Sequence, residues 1–556
     1  MAAPPHVLIL GGGFVAQDAV AALRTPLKRR ELTATVVDRD NFFTFHGLVG
    51  EMITGRVLPA NVVNPARRVF APADVHVGEI ESIDVDDKRV VTSRRLDGAR
   101  FELEYDYAIV GVGSGENLEA YPGLAEHAFR LKRFEDCFRL KSHVVEMFEL
   151  ADIERDADER RRLLTFFVAG GGFSGAELAG ELADFVARLA KKEYRGISRD
   201  ECRIVIVHPG KTLLPELYGS QSTERPARSF PKLVDYAMRH AGKLGVELML
   251  ETKVVGATPN EVYLSNGEHV PTRTIVSAVG SKPWPLLDDL DVPRDPHGRL
   301  ITDEYLRVDG RSDLWAGGDC AAVPHPRGGT CPPVALFAKK HGRQIGRNLT
   351  RTLAGRPPKP FRSTVIGQAV SLGKRTAVGE MKGLPIKGFP AWLGWRSTVW
   401  AVIPSLDRRL RVLADWAIWP IVGRDIVQMG PSEATVYDVR HHVYQPGETI
   451  AEGARPVRLV HVIVEGDVDL LASRDGAEHV VESLGPGDYF GRKLLELKGA
   501  EEARAGSLVR TMALREEEAN RLQDMFVSTN RIVARTELLP AVDAEAPERL
   551  RRERGA

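Results

Sequence analysis

The sequence predicts an α/β protein made of two Rossmann-like dinucleotide-binding domains, a short helical segment and a C-terminal β-roll. Three observations predict it. A strand, a glycine turn and a helix follow one another twice along the chain, at residues 6–23 and 164–182. Five of the seven tryptophans fall between Trp392 and Trp419. After about residue 430 helical patterning gives way to short β-rich runs separated by glycine. With 556 residues, the chain is well beyond the roughly 250–300 at which single cores stop growing, so several domains are required.

The first unit begins with the apolar strand His6–Leu10, turns through Gly11, Gly12 and Gly13, and enters a helix around Ala16. Such a turn aims backbone N–H groups and a helix N-terminus at a pyrophosphate. The next strand, Ala34–Asp38, ends in a carboxylate placed to accept from a ribose hydroxyl. The same order returns as Leu164–Ala169, then Gly170, Gly171, Gly172 and Gly175, then the strand Arg203–Val207. Two complete copies on one chain imply two dinucleotides. Further apolar strands run into Gly113 and Gly280, and a third ends at Gly318-Asp319, where glycine leaves the Asp319 carboxylate unobstructed toward a ligand.

Composition removes several classes of function. Lys and Arg total 76, as do Asp and Glu, so no net charge calls for nucleic acid. The four cysteines form no C-x-x-C or C-x4-C pair, which leaves no redox disulfide and no metal site readable from spacing. No apolar run reaches the ~20 residues of a spanning helix, and the start of the chain lacks a secretory pattern. A cytoplasmic protein is expected, with peripheral membrane contact still open.

Residues from about 5 to 425 resemble the type II NADH dehydrogenases, single-subunit NADH:quinone oxidoreductases that do not pump protons. The likeness lies in the two glycine turns, in Asn41–Gly55, similar to the segment beside the flavin, and in Gly175-Ala176-Glu177-Leu178, similar to the nicotinamide-site helix. The resemblance implies FAD held by Gly11, Gly13 and Asp38, with Asp319 at its ribityl or pyrophosphate portion, and Ala16, Gly113, Gly280 and Gly318 are further cofactor-binding candidates. It places NADH or NADPH on Gly170, Gly172, Gly175 and His208, with Glu177 beside the reacting rings. Two departures bear on substrates. The second unit's strand ends in His208, near Lys211, where an acidic residue would repel a 2′-phosphate. The acceptor-side helix reads Pro332-Pro333-Val334-Ala335-Leu336-Phe337-Ala338-Lys339-Lys340, without the family's two glutamines. Leu336 and Phe337 are expected to border a quinone, and Lys339 or Lys340 to meet the reduced flavin. Two alternatives stand beside this one. One is a sulfide:quinone oxidoreductase-like enzyme using Cys320 and Cys331. The other is a regulatory or scaffold flavoprotein that senses a ligand through its C-terminal domain.

The tryptophan cluster, with Arg396, Arg408, Arg409 and Arg411, suits an amphipathic helix lying at the headgroups on the cytoplasmic membrane face. Packing of a helix pair on the flavin domain or on another subunit is the other reading. Residues 432–530 resemble a cyclic nucleotide-binding domain, but Arg492 stands after Phe490-Gly491 where that family has a ribose-binding glutamate. Arg504 is the candidate for a cyclic phosphate. A degenerate module serving regulation or a homodimer is favoured over cyclic nucleotide capture. The expected domains are 1–118 and 291–380 for FAD, 119–290 for NAD(P)H, 381–430 for the tryptophan-rich segment, 431–535 for the roll, with a helical stretch at Glu516–Phe526, and 536–556 for a charged tail.

Overall fold

The computed structural model describes residues 3–217, 229–363, 367–427, 440–452, 459–474 and 477–515. The chain divides into two compact units, Met1–Gly430 and Pro431–Ala556. The expected Glu516–Phe526 helix and charged tail lie outside the described residues.

The first unit contains two five-stranded parallel sheets. In one, the spatial order is Leu314–Ala316, Tyr107–Val110, His6–Leu10, Thr33–Asp38, Asp74–Val77. In the other it is Ala128–Arg130, Thr274–Ser277, Thr165–Ala169, Arg203–His208, Val246–Leu250. Parallel strands are covered on both faces, which is why Val7–Leu10 and Phe166–Ala169 are continuous apolar runs and fully buried. In each sheet the strand feeding the glycine turn is central, and the strand ending in Asp38 or His208 is its neighbour.

The chain returns to the first sheet after completing the second. The helix Ala335–Leu353 packs on Phe14–Lys28, and a methyl group built on Gly342 would lie 2.1 Å from the carbonyl oxygen of Val15. Only glycine allows that approach, which ties the late segment to the helix behind the first glycine turn. A three-stranded antiparallel sheet (Gly367–Ser371, Ala377–Met381, Leu384–Gly388) then leads into helices Phe389–Val402 and Leu406–Val422. Among the described residues no helix is long and apolar enough to cross a membrane.

These two helices correct the expectation of an outward aromatic belt. Trp392, Trp395, Trp400, Trp416 and Trp419 are buried or half-buried, and Arg396 is buried among them. The outer face is aliphatic instead, exposing Leu393, Leu406, Leu410, Ile418 and Ile421.

The second unit holds two four-stranded antiparallel sheets. One orders Arg440–Tyr444, Val509–Arg515, Leu459–Glu465, Tyr489–Gly491, and the other Thr449–Glu452, Glu502–Ala505, Val468–Arg474, Ala477–Leu484. Their core is built from Ile463, Leu470, Phe490 and Val509, as alternation along the strands requires.

Candidate functional site

Both glycine turns are built alike. Gly11 N–H donates to the Val37 carbonyl at 2.8 Å, and Gly170 N–H to the Val207 carbonyl at 2.8 Å. Both glycines have positive φ, +93° and +122°, and a methyl group on Gly170 would sit 2.2 Å from the Ala278 carbonyl oxygen. The next N–H meets the side chain ending the neighbouring strand: Gly12 donates to Asp38 at 2.5 Å and Gly171 to His208 Nδ1 at 3.3 Å. Asp38 also accepts from Asp40 N–H at 2.9 Å. Burial raises Asp38 against these hydrogen bonds. Burial lowers His208, and its bond to Gly171 places the neutral ring's proton on Nε2. Gly13 and Gly172 precede the two helices, Ala16 packs at full burial, and Gly175 lies so near the Gly170 carbonyl that a methyl group would be 1.9 Å away.

A cleft of about 780 Å³ lies within the first unit, lined by residues that follow both glycine turns. Its lining includes Gly11, Gly13 and Asp38 from the first glycine turn, Gly113, Ser114, Gly318 and Asp319, and Ser174, Glu177 and Leu178 from the helix after the second turn. That size lies within the ~300–1,000 Å³ of cofactor sites, and the bare glycine turn with its helix N-terminus is a cradle for a pyrophosphate. The donor set therefore fits a dinucleotide. Gly280 flanks the cleft, its carbonyl accepting from Asn117 N–H at 3.2 Å.

Asp319 accepts from the Ser114 hydroxyl at 3.2 Å, and Lys132 Nζ lies 3.9 Å from it. Lys132 donates to Ser114 Oγ at 2.7 Å, and its carbonyl pairs with His46 Nε2 at 3.1 Å. Burial lowers both Lys132 and His46. Glu116, on the same wall, is pushed up by burial to about 7. Ser114, Lys132 and Glu116 were not singled out from sequence, whereas His46 falls within the Asn41–Gly55 segment. Ser114 directly follows Gly113, the one local signal. Cys137 is fully buried in the helix Phe134–Ile153.

Glu177 faces Gly50 across the cleft: a methyl group on Gly50 would lie 3.7 Å from its Oε1. Burial, then the neighbouring carboxylates Glu181 and Glu51, raise Glu177 well above the usual carboxyl range. Lys339 turns elsewhere. Its ammonium lies 2.6 Å from the buried Asp18, which Arg343 also meets at 2.8 Å. Ala335 and Ala338 line the cleft from that helix, whereas Leu336, Phe337, Lys339 and Lys340 do not. Phe337 is instead buried against His325 and His341. All four cysteines are free and buried, and burial raises each thiol, so none is poised as a thiolate.

Residues 5–342 match the pyridine nucleotide-disulphide oxidoreductase family model. The chain belongs to this family. Residues 441–524 match the cyclic nucleotide-binding domain model. Among members of the oxidoreductase family, the chain is 26% identical over 437 residues to a type II NADH:quinone oxidoreductase of Mycobacterium tuberculosis, covering 75% of this chain and 89% of that protein. It is 27% identical over 435 residues to a demethylphylloquinone reductase of Synechocystis, covering 75% and 97%. The fold is that of NDH2 from Plasmodium falciparum, solved in complex with NADH, at a TM-score of 0.69 and 17% identity over 76% of this chain and 99% of that one.

Proposed function

We propose that the protein is an FAD-dependent NAD(P)H dehydrogenase that delivers the electrons of NADH or NADPH to a quinone. The observation that carries this reading is the single cleft running from the first glycine turn to Glu177 on the second turn's helix. FAD, when bound, would supply the redox chemistry between the reduced nicotinamide and the acceptor.

The chain's residues bind, orient and hold charge. Asp38, fixed by Gly12 and Asp40, offers an acceptor to ribose hydroxyls. Lys132, oriented by Ser114, sets a cation beside Asp319 in the cleft. His208 replaces an acidic residue with a neutral donor, so nothing at that position repels a 2′-phosphate. Glu177 stands at the cleft wall, its carboxyl raised by burial and by the neighbouring carboxylates Glu181 and Glu51. The quinone acceptor is supported by the reactions named for the relatives. Leu336 and Phe337 do not line the cleft, so its acceptor side is formed by Val49, Gly50, Ile53, Ala335 and Ala338.

The aliphatic face of the two tryptophan helices supports peripheral docking on the cytoplasmic membrane face, with the tryptophans anchoring the helices inward. In the second unit Arg504 is saturated by Glu478 and Glu502, each at 2.8 Å. That internal pairing opposes capture of a cyclic phosphate and supports a regulatory or dimerising module. The purified protein is expected to show flavin absorbance and to oxidise NADH or NADPH when a soluble quinone is added. Protein lacking flavin, and unable to take it up, would overturn the proposal.

A further inference from the structure

Behind Glu177 lies a buried cluster of charges that the reading above does not use. Glu51, on the short helix Val49–Ile53, is 3.2 Å from Arg396 and accepts from Trp416 Nε1 at 2.6 Å. Arg396 lies between two tryptophan rings, 3.8 Å from the centroid of Trp416 and 4.8 Å from that of Trp392. On the helix of Glu177, Glu181 pairs with Arg56 at 2.9 Å and accepts from Ser371 Oγ at 3.4 Å. Asp184, one turn further, meets both Arg56 and Arg424. Arg424 follows the second tryptophan helix and also donates to the Thr54 carbonyl at 3.3 Å.

Glu51, Glu181 and Asp184 are thus balanced by Arg56, Arg396 and Arg424. Glu177 stands outside this balance. No ion pair or hydrogen bond is made by its side chain among the described residues, and the carboxylates that act on it are Glu181 and Glu51; a methyl group on Gly50, next to Glu51, would lie 3.7 Å from Glu177 Oε1 and 3.8 Å from Glu181 Cγ. A carboxyl beside two paired carboxylates, with no cation of its own, is the cheapest place in the cluster to keep a proton. Burial raises Glu181 too, but Arg56 acts against it, and Glu177 has no such counterpart.

We propose that Glu51 and Glu181, each clamped by its arginine, are positioning residues that reserve one proton for Glu177 at the cleft, and that the tryptophan helices complete the arrangement by supplying Arg396. The proposal rests on the reading of the cleft as the site of electron transfer. It makes the docked helix pair part of the site's electrostatics, because Arg396 reaches Glu51 only while its helix is seated.

The test is an infrared pH titration of the oxidised, FAD-loaded full chain, which follows protonated-carboxyl absorption without relying on turnover. Glu177→Gln is expected to remove one such band at pH 7. In Glu181→Gln and Glu51→Gln the Glu177 midpoint is expected to fall by at least about one pH unit, since a like charge is lost and an arginine is left uncompensated. Arg396→Lys, which keeps the cation, is expected to stay near wild type. A band unchanged in Glu177→Gln, or a midpoint unmoved in either folded glutamine variant, would overturn the proposal. The two glutamine variants act from different helices, so one suffices, and the Glu177→Gln comparison stands without either. Rapid-mixing flavin reduction separates the two levels. If NADH and NADPH both fail to reduce the flavin, the reading of the cleft fails whatever the bands do; normal reduction with unmoved bands sinks only this inference.

Discussion

Arg396→Met probes the joint between the tryptophan helices and the cleft. Methionine keeps much of the length and packs on aromatic rings, so the change removes mainly charge. Glu51 is 1% exposed, and breaking a buried pair by removing one partner costs about 3–5 kcal/mol, because a charge is left uncompensated. The two cation–π contacts add roughly 1 kcal/mol or more, part of which the thioether restores. A net loss of about 3 kcal/mol or more is expected in urea unfolding followed by tryptophan fluorescence, which the clustered indoles make sensitive to these helices. Pairing the change with Glu51→Gln removes both charges and should recover about 2 kcal/mol of that loss as coupling energy. A single-variant loss below about 1 kcal/mol, or a double variant no better than the sum of the two single changes, would refute the placement of Arg396 on Glu51.

Other outcomes follow from single residues. Burial lowers His341 and His461 to about 3, so each stays neutral in the folded state while the unfolded chain protonates near pH 6.5. Stability is therefore lost as pH falls below about 6.5, by roughly 2 kcal/mol per histidine at pH 5, and His341→Asn should flatten that dependence in melts of the first unit. Lys132→Met should weaken FAD uptake by the apoprotein about 10–100-fold in a fluorescence titration, as loss of a charge-assisted hydrogen bond predicts; unchanged uptake would remove Lys132 from the site. His208→Asp should lower flavin reduction by NADPH relative to NADH at least about tenfold, and an unaltered ratio would mean that the ribose lies elsewhere. Calorimetry with cAMP and cGMP should show no binding heat, because Arg504 is already paired; clear saturable binding to either would contradict the reading of the roll.

What the sequence disclosed about the site follows the range of the interactions involved. The glycine turns, Asp38 and Asp319 were legible because each sits within a few residues of the strand end that places it. Lys132 and Ser114 were not, since their partnership spans 18 residues and depends on the two parallel sheets of the first unit coming together. The tryptophan segment was legible as two helices but not in its orientation. Its arginines suggest a headgroup surface, yet Arg396 turns inward to pair with the buried Glu51, 345 residues earlier. Lys339 likewise reads as a cleft residue until Asp18 is seen beneath it. Buried ion pairs between distant segments leave no periodic trace in the chain.

Electron flow through the cleft is tested most directly by stopped-flow spectroscopy of the FAD-loaded protein. Rapid bleaching of flavin absorbance by NADH or NADPH, followed by full recovery on mixing with a soluble quinone, is the predicted result. Flavin that neither nicotinamide bleaches, or that bleaches but is not reoxidised by quinone, would contradict the account.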